Sequence, residues 1–272
     1  MPFAQLPGVR LHYRTDGDAG APPLLLSNSL GTSLAMWEPQ IGVLEARFHV
    51  IRYDSRGHGR SEVTRGPYSI DTLAQDALGL LDALAIPRAH VCGLSMGGVV
   101  AMWLGINAAE QVDRLVLANT AAKIGTAEQW NARIDALQKG GMASISPVVL
   151  ARFFSPQLLE QPTPMIAQVR ATLEATSKEG NAASCAAVRD ADLRHALHRV
   201  RAPTLVIVGA HDLSTPPQDG RYIAGQIDGA RCVELPATHL SNIQAAPAFT
   251  QALVQFLTGR GQRPHRTGST HG

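Results

Sequence analysis

The chain has 272 residues, a formal net charge of +2 at pH 7 and a hydrophobic content of 45%. A chain of this length and apolar content can bury a large core, and a single α/β domain is the expected organisation. The last 13 residues carry three arginines and neither an acidic nor an aromatic residue. So short a basic run argues against nucleic-acid binding.

The N-terminus has no charged segment that leads into an apolar stretch, and the chain nowhere has the run of about eighteen apolar residues that a membrane span needs. We therefore expect a cytoplasmic protein with no membrane partner. The three cysteines, Cys92, Cys185 and Cys232, are far apart and form no Cys-x-x-Cys pair. Neither a disulfide framework nor a zinc site is predicted; the oligomeric state is left open.

Predicted strands alternate with predicted helices. Val9, Leu11 and Tyr13 alternate with polar residues, as in an outer strand, whereas the later strands are continuous apolar runs typical of burial on both faces. This alternation indicates an α/β fold with a mostly parallel sheet flanked by helices. The continuous runs are 24–26, 50–53 and 91–92, and further strands are predicted at 114–118, 204–209 and 232–235. Helices are predicted at 70–84, capped by Ser69, and at 247–257.

Residues 120–200 interrupt this alternation. They show helix-like periodicity, several prolines and glycines, and no convincing strand. We predict that they form a helical cap inserted into a core of residues 1–119 and 201–258, with a disordered tail over 259–272. Because ligands of open parallel sheets bind beyond the carboxyl ends of the strands, a cap that starts after Ala118 would cover that edge.

The pentapeptide Gly93-Leu94-Ser95-Met96-Gly97 lies between a predicted strand and a predicted helix. It matches the G-x-S-x-G pattern, in which a strained turn exposes a nucleophilic serine. Glycines two residues to either side suit this turn, since side chains there would collide as the strand and helix diverge. An ordinary helix N-cap serine is the alternative interpretation of Ser95.

Two downstream residues complete a Ser, Asp, His order, which is the order found in α/β-hydrolases. Asp212 follows the strand 204–209 directly, whereas Asp219 and Asp228 lie further along. The other acid position of this architecture follows the preceding strand, where Asn119 and Thr120 stand. Neither is an acid, so Asp212 is the predicted triad acid.

His239 is the predicted general base, because it lies in a loop between the last strand and the last helix. His211 adjoins the acid on the wrong loop. His195 and His198 lie in the predicted cap, and two such histidines without a third ligand are interpreted as solvated surface residues. We therefore expect no metal and, since covalent catalysis needs none, no cofactor.

The oxyanion of an acyl-transfer intermediate needs two main-chain N–H donors. One is expected from Met96, which follows the nucleophile. The other is expected from Leu30, since 27–32 has the form of a strand end that enters a loop of small residues. The charged segment 54–61 is interpreted as a structural loop whose arginine and aspartate pair within it, because no phosphate-binding helix follows its glycines.

On these motifs the chain resembles the serine α/β-hydrolase superfamily over residues 1–258, and within it the 3-oxoadipate enol-lactonases of bacterial aromatic breakdown. Many superfamily members have His-Gly where Ser29-Leu30-Gly31 stands here. The closer resemblance rests on 27–32 with Met36-Trp37, on Tyr53-Asp54 with Arg56-Gly57-His58-Gly59, on 93–98 and on 119–125.

The resemblance implies hydrolysis of 3-oxoadipate enol-lactone to 3-oxoadipate through an acyl-enzyme, in protocatechuate and catechol catabolism. Such a substrate carries a carboxylate, so a cation is expected in the pocket. The predicted cap offers several cations for this role, among them Lys123, Arg133, Lys139, Arg152 and Arg170. Arg133 would share one helix face with Trp130, so these two are the predicted substrate-binding residues. The alternative function is a broad carboxylesterase or perhydrolase-like enzyme for neutral esters, and a ligand-sensing module without turnover is a third.

Overall fold

The computed structural model describes residues 2–259, and within them the chain forms an eight-stranded sheet flanked by helices. The α/β-hydrolase architecture predicted from the sequence is confirmed. The strands are β1 Phe3–Leu6, β2 Val9–Asp16, β3 Pro23–Ser27, β4 His49–Tyr53, β5 Ala89–Leu94, β6 Val112–Ala118, β7 Thr204–Gly209 and β8 Arg231–Leu235.

The sheet has the order β1-β2-β4-β3-β5-β6-β7-β8. Strand β2 pairs antiparallel with β1 and β4, and the six strands from β3 to β8 run parallel. The prediction that the strand beginning at Val9 is the outer one is wrong, because β1 covers its free edge. Strand β1 has only four residues, and so short a segment shows too little alternation to be recognised.

The helices of the core follow the predicted pattern. Helix α2 begins where it was expected, and the Ser69 side chain accepts a hydrogen bond from the Thr72 amide. Helix α3 follows Ser95 directly and packs against β3, β5 and β6. The core helices are α1 Glu38–Leu44, α2 Ile70–Ala83, α3 Met96–Asn107, α8 Pro217–Gln226, α9 Ser241–Gln244 and α10 Ala246–Leu257.

Four further helices lie between β6 and β7: α4 Ala127–Phe153, α5 Pro156–Glu160, α6 Pro164–Ala175 and α7 Lys178–Asp190. Helix α4 packs against α6 and α7 and breaks into two limbs at Gly141, whose φ of 63° lies in the left-handed region. No strand occurs among residues 120–200. The division of the chain into core and cap remains our proposal, and the predicted tail lies outside the described residues from 260 onward.

The carboxyl ends of the parallel strands gather the predicted site residues at one edge of the sheet. Leu30 follows β3, Ser95 follows β5, Asp212 follows β7 and His239 follows β8. None of the helices within residues 2–259 is long and apolar enough to cross a membrane.

The loop 54–61 corrects one expectation. Arg56 does not pair within the loop, because its Nε donates to the Asp76 carboxylate of α2 at 2.8 Å. Asp54 accepts a hydrogen bond from the Arg60 main-chain amide within the loop, at 2.9 Å, and another from the Leu34 amide outside it, at 2.8 Å. Asp54 therefore bonds within the loop as expected, whereas Arg56 joins the loop to α2.

Substituting Gly97 tests how closely α3 must approach β3. A Cβ atom at Gly97 would lie 2.2 Å from the main-chain oxygen of Ser27, so backbone would have to move. Gly97→Ala is expected to lower the free energy of unfolding by about 3 kcal/mol or more. Gly42→Ala in α1 is the control, because a Cβ there has open space around it. Urea unfolding of both variants measures the difference, and equal stabilities would contradict the steric account.

Candidate active site

Ser95 stands at the tip of the turn between β5 and α3, with φ 58° and ψ −118°. This region of backbone space is strained for a residue with a Cβ, and it persists only where surrounding contacts hold it. The Ser95 amide donates to the Ala118 carbonyl at 3.0 Å, and the Ser95 carbonyl accepts from the Thr120 hydroxyl at 2.8 Å. Strand β6 and the residues after it thus hold the turn in place.

The glycines of the pentapeptide have the steric role expected of them. A Cβ atom at Gly93 would lie 2.0 Å from the Gly97 carbonyl oxygen. Gly98, just beyond the motif, lies so close to Thr120 that a Cβ there would be 2.6 Å from the threonine Cβ. No side chain larger than hydrogen fits at these positions while the turn keeps its shape.

The predicted acid and base meet. His239 Nδ1 lies 2.8 Å from Asp212 Oδ2, and both side chains are buried. The Phe153 ring stacks on the imidazole, with centroids 5.6 Å apart and an interplanar angle of 20°. With Nδ1 engaged by the carboxylate, the other ring nitrogen of His239 is the one left for proton transfer.

The Asp212 carboxylate accepts several further hydrogen bonds. The Asn119 side-chain amide donates to Oδ2 at 3.0 Å and the Thr215 hydroxyl donates to the same oxygen at 2.8 Å. The main-chain amides of Ser214 and Thr215 donate to Oδ1. Burial acts to raise the pKa of Asp212, but the charge of His239 and these hydrogen bonds outweigh it and bring the pKa to about 2.

Three residues around this pair were missed by the sequence analysis: Asn119, Thr215 and Phe153. Asn119 was considered only as an acid and rejected, yet its amide supports the acid from the neighbouring strand end. The sequence signal for Asn119 was its position directly after a predicted strand. In the structure its φ of 43° lies in the left-handed region, which asparagine adopts more readily than most residues. Phe153 gives no such signal, because it reaches His239 from the end of a cap helix.

The two predicted oxyanion donors belong to segments that are joined by a hydrogen bond. The Gly97 amide donates to the Asn28 carbonyl at 3.0 Å, which ties the start of α3 to the loop after β3. Met96 is the first residue of α3, where a main-chain amide has no acceptor within the helix. Leu30 lies two residues beyond Asn28, and within residues 2–259 its amide has no protein acceptor.

A cavity of about 480 Å³ lies between this edge of the sheet and the cap helices. Ser95, His239 and Leu30 line it from the core, and Trp130 and Arg133 line it from α4. The structure therefore brings all the predicted catalytic and substrate-binding side chains to one place, with Asp212 behind His239.

The Arg133 guanidinium lines this cavity without a partner for its charge among the described residues. Its guanidinium lies over the Trp130 ring, 5.5 Å from the centroid, and the Trp130 indole donates to the Ile124 carbonyl at 2.6 Å. Among the described residues, the Arg133 side chain has neither a hydrogen-bond acceptor nor an ion-pair partner, and its Nε and Nη2 are buried. Burial also lowers the pKa of Arg133. A half-buried cation whose Nε and Nη2 are buried without an acceptor favours an anionic ligand.

The two histidines predicted to lie in the cap are not part of the cavity. His195 and His198 are exposed and lie outside this cavity. Within residues 2–259, no group of three or more histidine, cysteine, aspartate or glutamate side chains is placed to hold a metal ion.

The low pKa of Asp212 predicts a pH dependence of stability. The folded-state pKa of about 2 lies below the model-peptide value of 3.8, so the ionised carboxylate stabilises the fold above pH 4, and this contribution disappears as pH falls toward 2. Urea unfolding at pH 5 and pH 3 should show wild type losing about 1 kcal/mol more than Asp212→Asn. Parallel losses in the two proteins would contradict the assigned pKa.

The fold and the site define the class of protein. The family described as "alpha/beta hydrolase fold" matches residues 22–246, which is most of the chain. The chain therefore belongs to the α/β-hydrolase family and is an enzyme.

Two enol-lactonases and an esterase are among the proteins that are similar to this chain. The 3-oxoadipate enol-lactonase 2 of Acinetobacter baylyi is 41% identical over 245 residues, which span 90% of this chain and 92% of that protein. The crystal structure of the enol-lactonase from Burkholderia xenovorans LB400 has a TM-score of 0.93 at 47% identity, covering 94% of this chain and 100% of that one. A thermophilic esterase from Thermogutta terrifontis has a TM-score of 0.89 at 26% identity, covering 95% and 99%.

Proposed function

We propose that this enzyme hydrolyses 3-oxoadipate enol-lactone to 3-oxoadipate in the breakdown of aromatic compounds. The observation that carries the proposal is the shared cavity, in which Ser95 and His239 lie with Arg133, a cation that has no ion-pair partner among the described residues. A cyclic ester with a free carboxylate presents the two groups that such a cavity would bind. The similarity to enol-lactonases supports the same substrate.

In the proposed reaction, the Ser95 hydroxyl attacks the lactone carbonyl while His239 takes the hydroxyl proton. The amides of Leu30 and Met96 stabilise the oxyanion of the tetrahedral intermediate. When the intermediate collapses, the ring C–O bond breaks and the imidazolium protonates the leaving enolate oxygen. The product of this step is an enol still attached to Ser95 as an acyl ester.

Water completes the cycle. His239 takes a proton from the water as its oxygen attacks the acyl carbonyl, and the Ser95 oxygen leaves with that proton. The released enol rearranges to a ketone, which makes ring closure unfavourable. Asp212 keeps the imidazole oriented and stabilises its charged form through both steps, without itself becoming protonated.

Arg133 and Trp130 are proposed to position the substrate. The guanidinium fork would bind the substrate carboxylate, and the indole would hold the guanidinium from one side. Since the Arg133 guanidinium is already partly desolvated in the folded protein, binding a carboxylate there relieves an existing cost. Anionic lactones should therefore bind more tightly than neutral esters of similar size.

Ser95→Ala tests the nucleophile. Removing the hydroxyl should lower turnover of the enol-lactone by about three to six decades, the scale seen when a triad nucleophile is lost. Loss of lactone absorbance measures the rate. Ser155→Ala is the control, because Ser155 precedes α5 and its side chain caps nothing. A Ser95→Ala enzyme with activity near wild type would remove the covalent mechanism.

Arg133→Gln tests the substrate class. Truncating one partner of a buried charged pair costs about 2 kcal/mol or more, so kcat/KM for the anionic lactone should fall about 30-fold or more. The rate on a neutral p-nitrophenyl ester should change little. Arg170→Gln is the control, since Arg170 belongs to α6 and does not line the cavity.

The same assay tests the alternative, a broad esterase or perhydrolase-like enzyme, which the likeness to an esterase favours. Such an enzyme would cleave the neutral ester far better than the anionic lactone. In Arg133→Gln, such an enzyme would lose the same fraction of its lactone and ester activities, or would keep both unchanged.

A further inference from the structure

The cavity contains a second arginine, to which the mechanism above gives no role. Arg152 lies on the second limb of α4 and lines the same cavity as Arg133, which lies on the first limb. The break at Gly141 lets both limbs face one space, and the Ser144 hydroxyl joins them by donating to the Ala136 carbonyl at 3.0 Å. Each limb therefore brings one guanidinium to the cavity.

Both guanidiniums lack an anion. Within residues 2–259, Arg152 has neither a hydrogen-bond acceptor nor an ion pair, and no aspartate or glutamate lines the cavity. Arg152 is exposed and Arg133 is half-buried, whereas the fully buried Arg52 is ion-paired with Asp16. Burial lowers the pKa of Arg133, and the positive charge of Arg152 lowers it further, so the two cations sense each other. Two free cations facing one cavity favour a ligand with two negative charges.

The position of Arg152 indicates where the second charge would lie. Arg152 directly precedes Phe153, whose ring stacks on the imidazole of the proposed base His239, and both residues line the cavity. Ester hydrolysis turns a neutral acyl group into a carboxylate at Ser95, near that base. When a lactone is hydrolysed, its acyl part and its alcohol part stay in one molecule. A lactone that already carries a carboxylate therefore gives a product with two carboxylates.

We propose that the cavity binds dicarboxylates in preference to monocarboxylates, with Arg133 facing one carboxylate and Arg152 facing the other. The ring-opened product is then a competitive inhibitor that binds more tightly than a monoanion of the same length. Identifying the dicarboxylate as the enzyme's product rests on the proposed function. The binding preference itself depends only on the two arginines and the cavity.

Inhibition of a neutral reaction tests the preference directly. The reporter is hydrolysis of p-nitrophenyl acetate, and the inhibitors are adipate, a dianion, and monomethyl adipate, a monoanion of nearly the same length. A charge-assisted hydrogen bond at a partly exposed site should give adipate about a tenfold lower inhibition constant in wild type. Arg152→Gln should remove this advantage, leaving only the statistical benefit of a symmetric molecule. Arg170→Gln should keep it.

Two results would overturn the proposal: equal inhibition by adipate and monomethyl adipate in wild type, or an adipate advantage that persists in Arg152→Gln. The second would mean that Arg152 is merely solvated at the cavity mouth. Failure of the proposed function is distinguishable, because it would appear as poor turnover of the enol-lactone by wild type while the adipate advantage remained.

Discussion

The contact between Asp212 and His239 is the interaction on which the active site depends. It joins two loops that follow neighbouring strands, and it can form only because β7 and β8 run parallel and end at the same edge. A buried carboxylate would be costly if left unpaired. Here the Asn119 and Thr215 side chains, together with main-chain amides, supply enough hydrogen bonds to keep it ionised. The imidazole therefore has a fixed orientation toward the cavity that Ser95 also lines.

Ser95, the predicted nucleophile, is held by the same sheet in a different way. Its left-handed backbone is unfavourable by itself, and the surrounding structure holds it through the Ala118 carbonyl and the Thr120 hydroxyl. Close approach of α3 to β3 requires Gly97 and also places the Met96 amide next to the loop that carries Leu30. The strained turn and the pair of predicted oxyanion donors thus result from one packing arrangement.

The sequence predicted those features that local patterns encode. Continuous apolar runs located the buried strands, and the residues at strand ends identified Ser95, Asp212 and His239 as candidates that the fold then brings to one edge. The sequence could not predict side-chain contacts between segments that lie far apart in the chain. Asn119 reaches Asp212 across 93 residues, and Arg56 takes Asp76 as its partner instead of a residue of its own loop. The break at Gly141 could not be predicted either, because glycine is also tolerated inside a helix.

We propose that the helices between β6 and β7 determine which substrates the acyl-transfer groups can act on. In the proposed mechanism the groups needed for acyl transfer follow the strands of the sheet, whereas α4 adds an aromatic wall and two arginines to the cavity. Reactivity and selectivity are therefore carried by different parts of the chain, and substitutions in α4 should alter substrate choice while the acyl-transfer machinery remains intact.

Covalent labelling with a fluorophosphonate, followed by peptide mass spectrometry, tests the central claim most directly, because it reports whether the Ser95 hydroxyl is activated by His239 held by Asp212. The account predicts a single adduct on the peptide that contains Ser95, formed about 100-fold or more slowly in Asp212→Asn. An adduct on another residue, no adduct in wild type, or equal labelling rates in wild type and Asp212→Asn would contradict it.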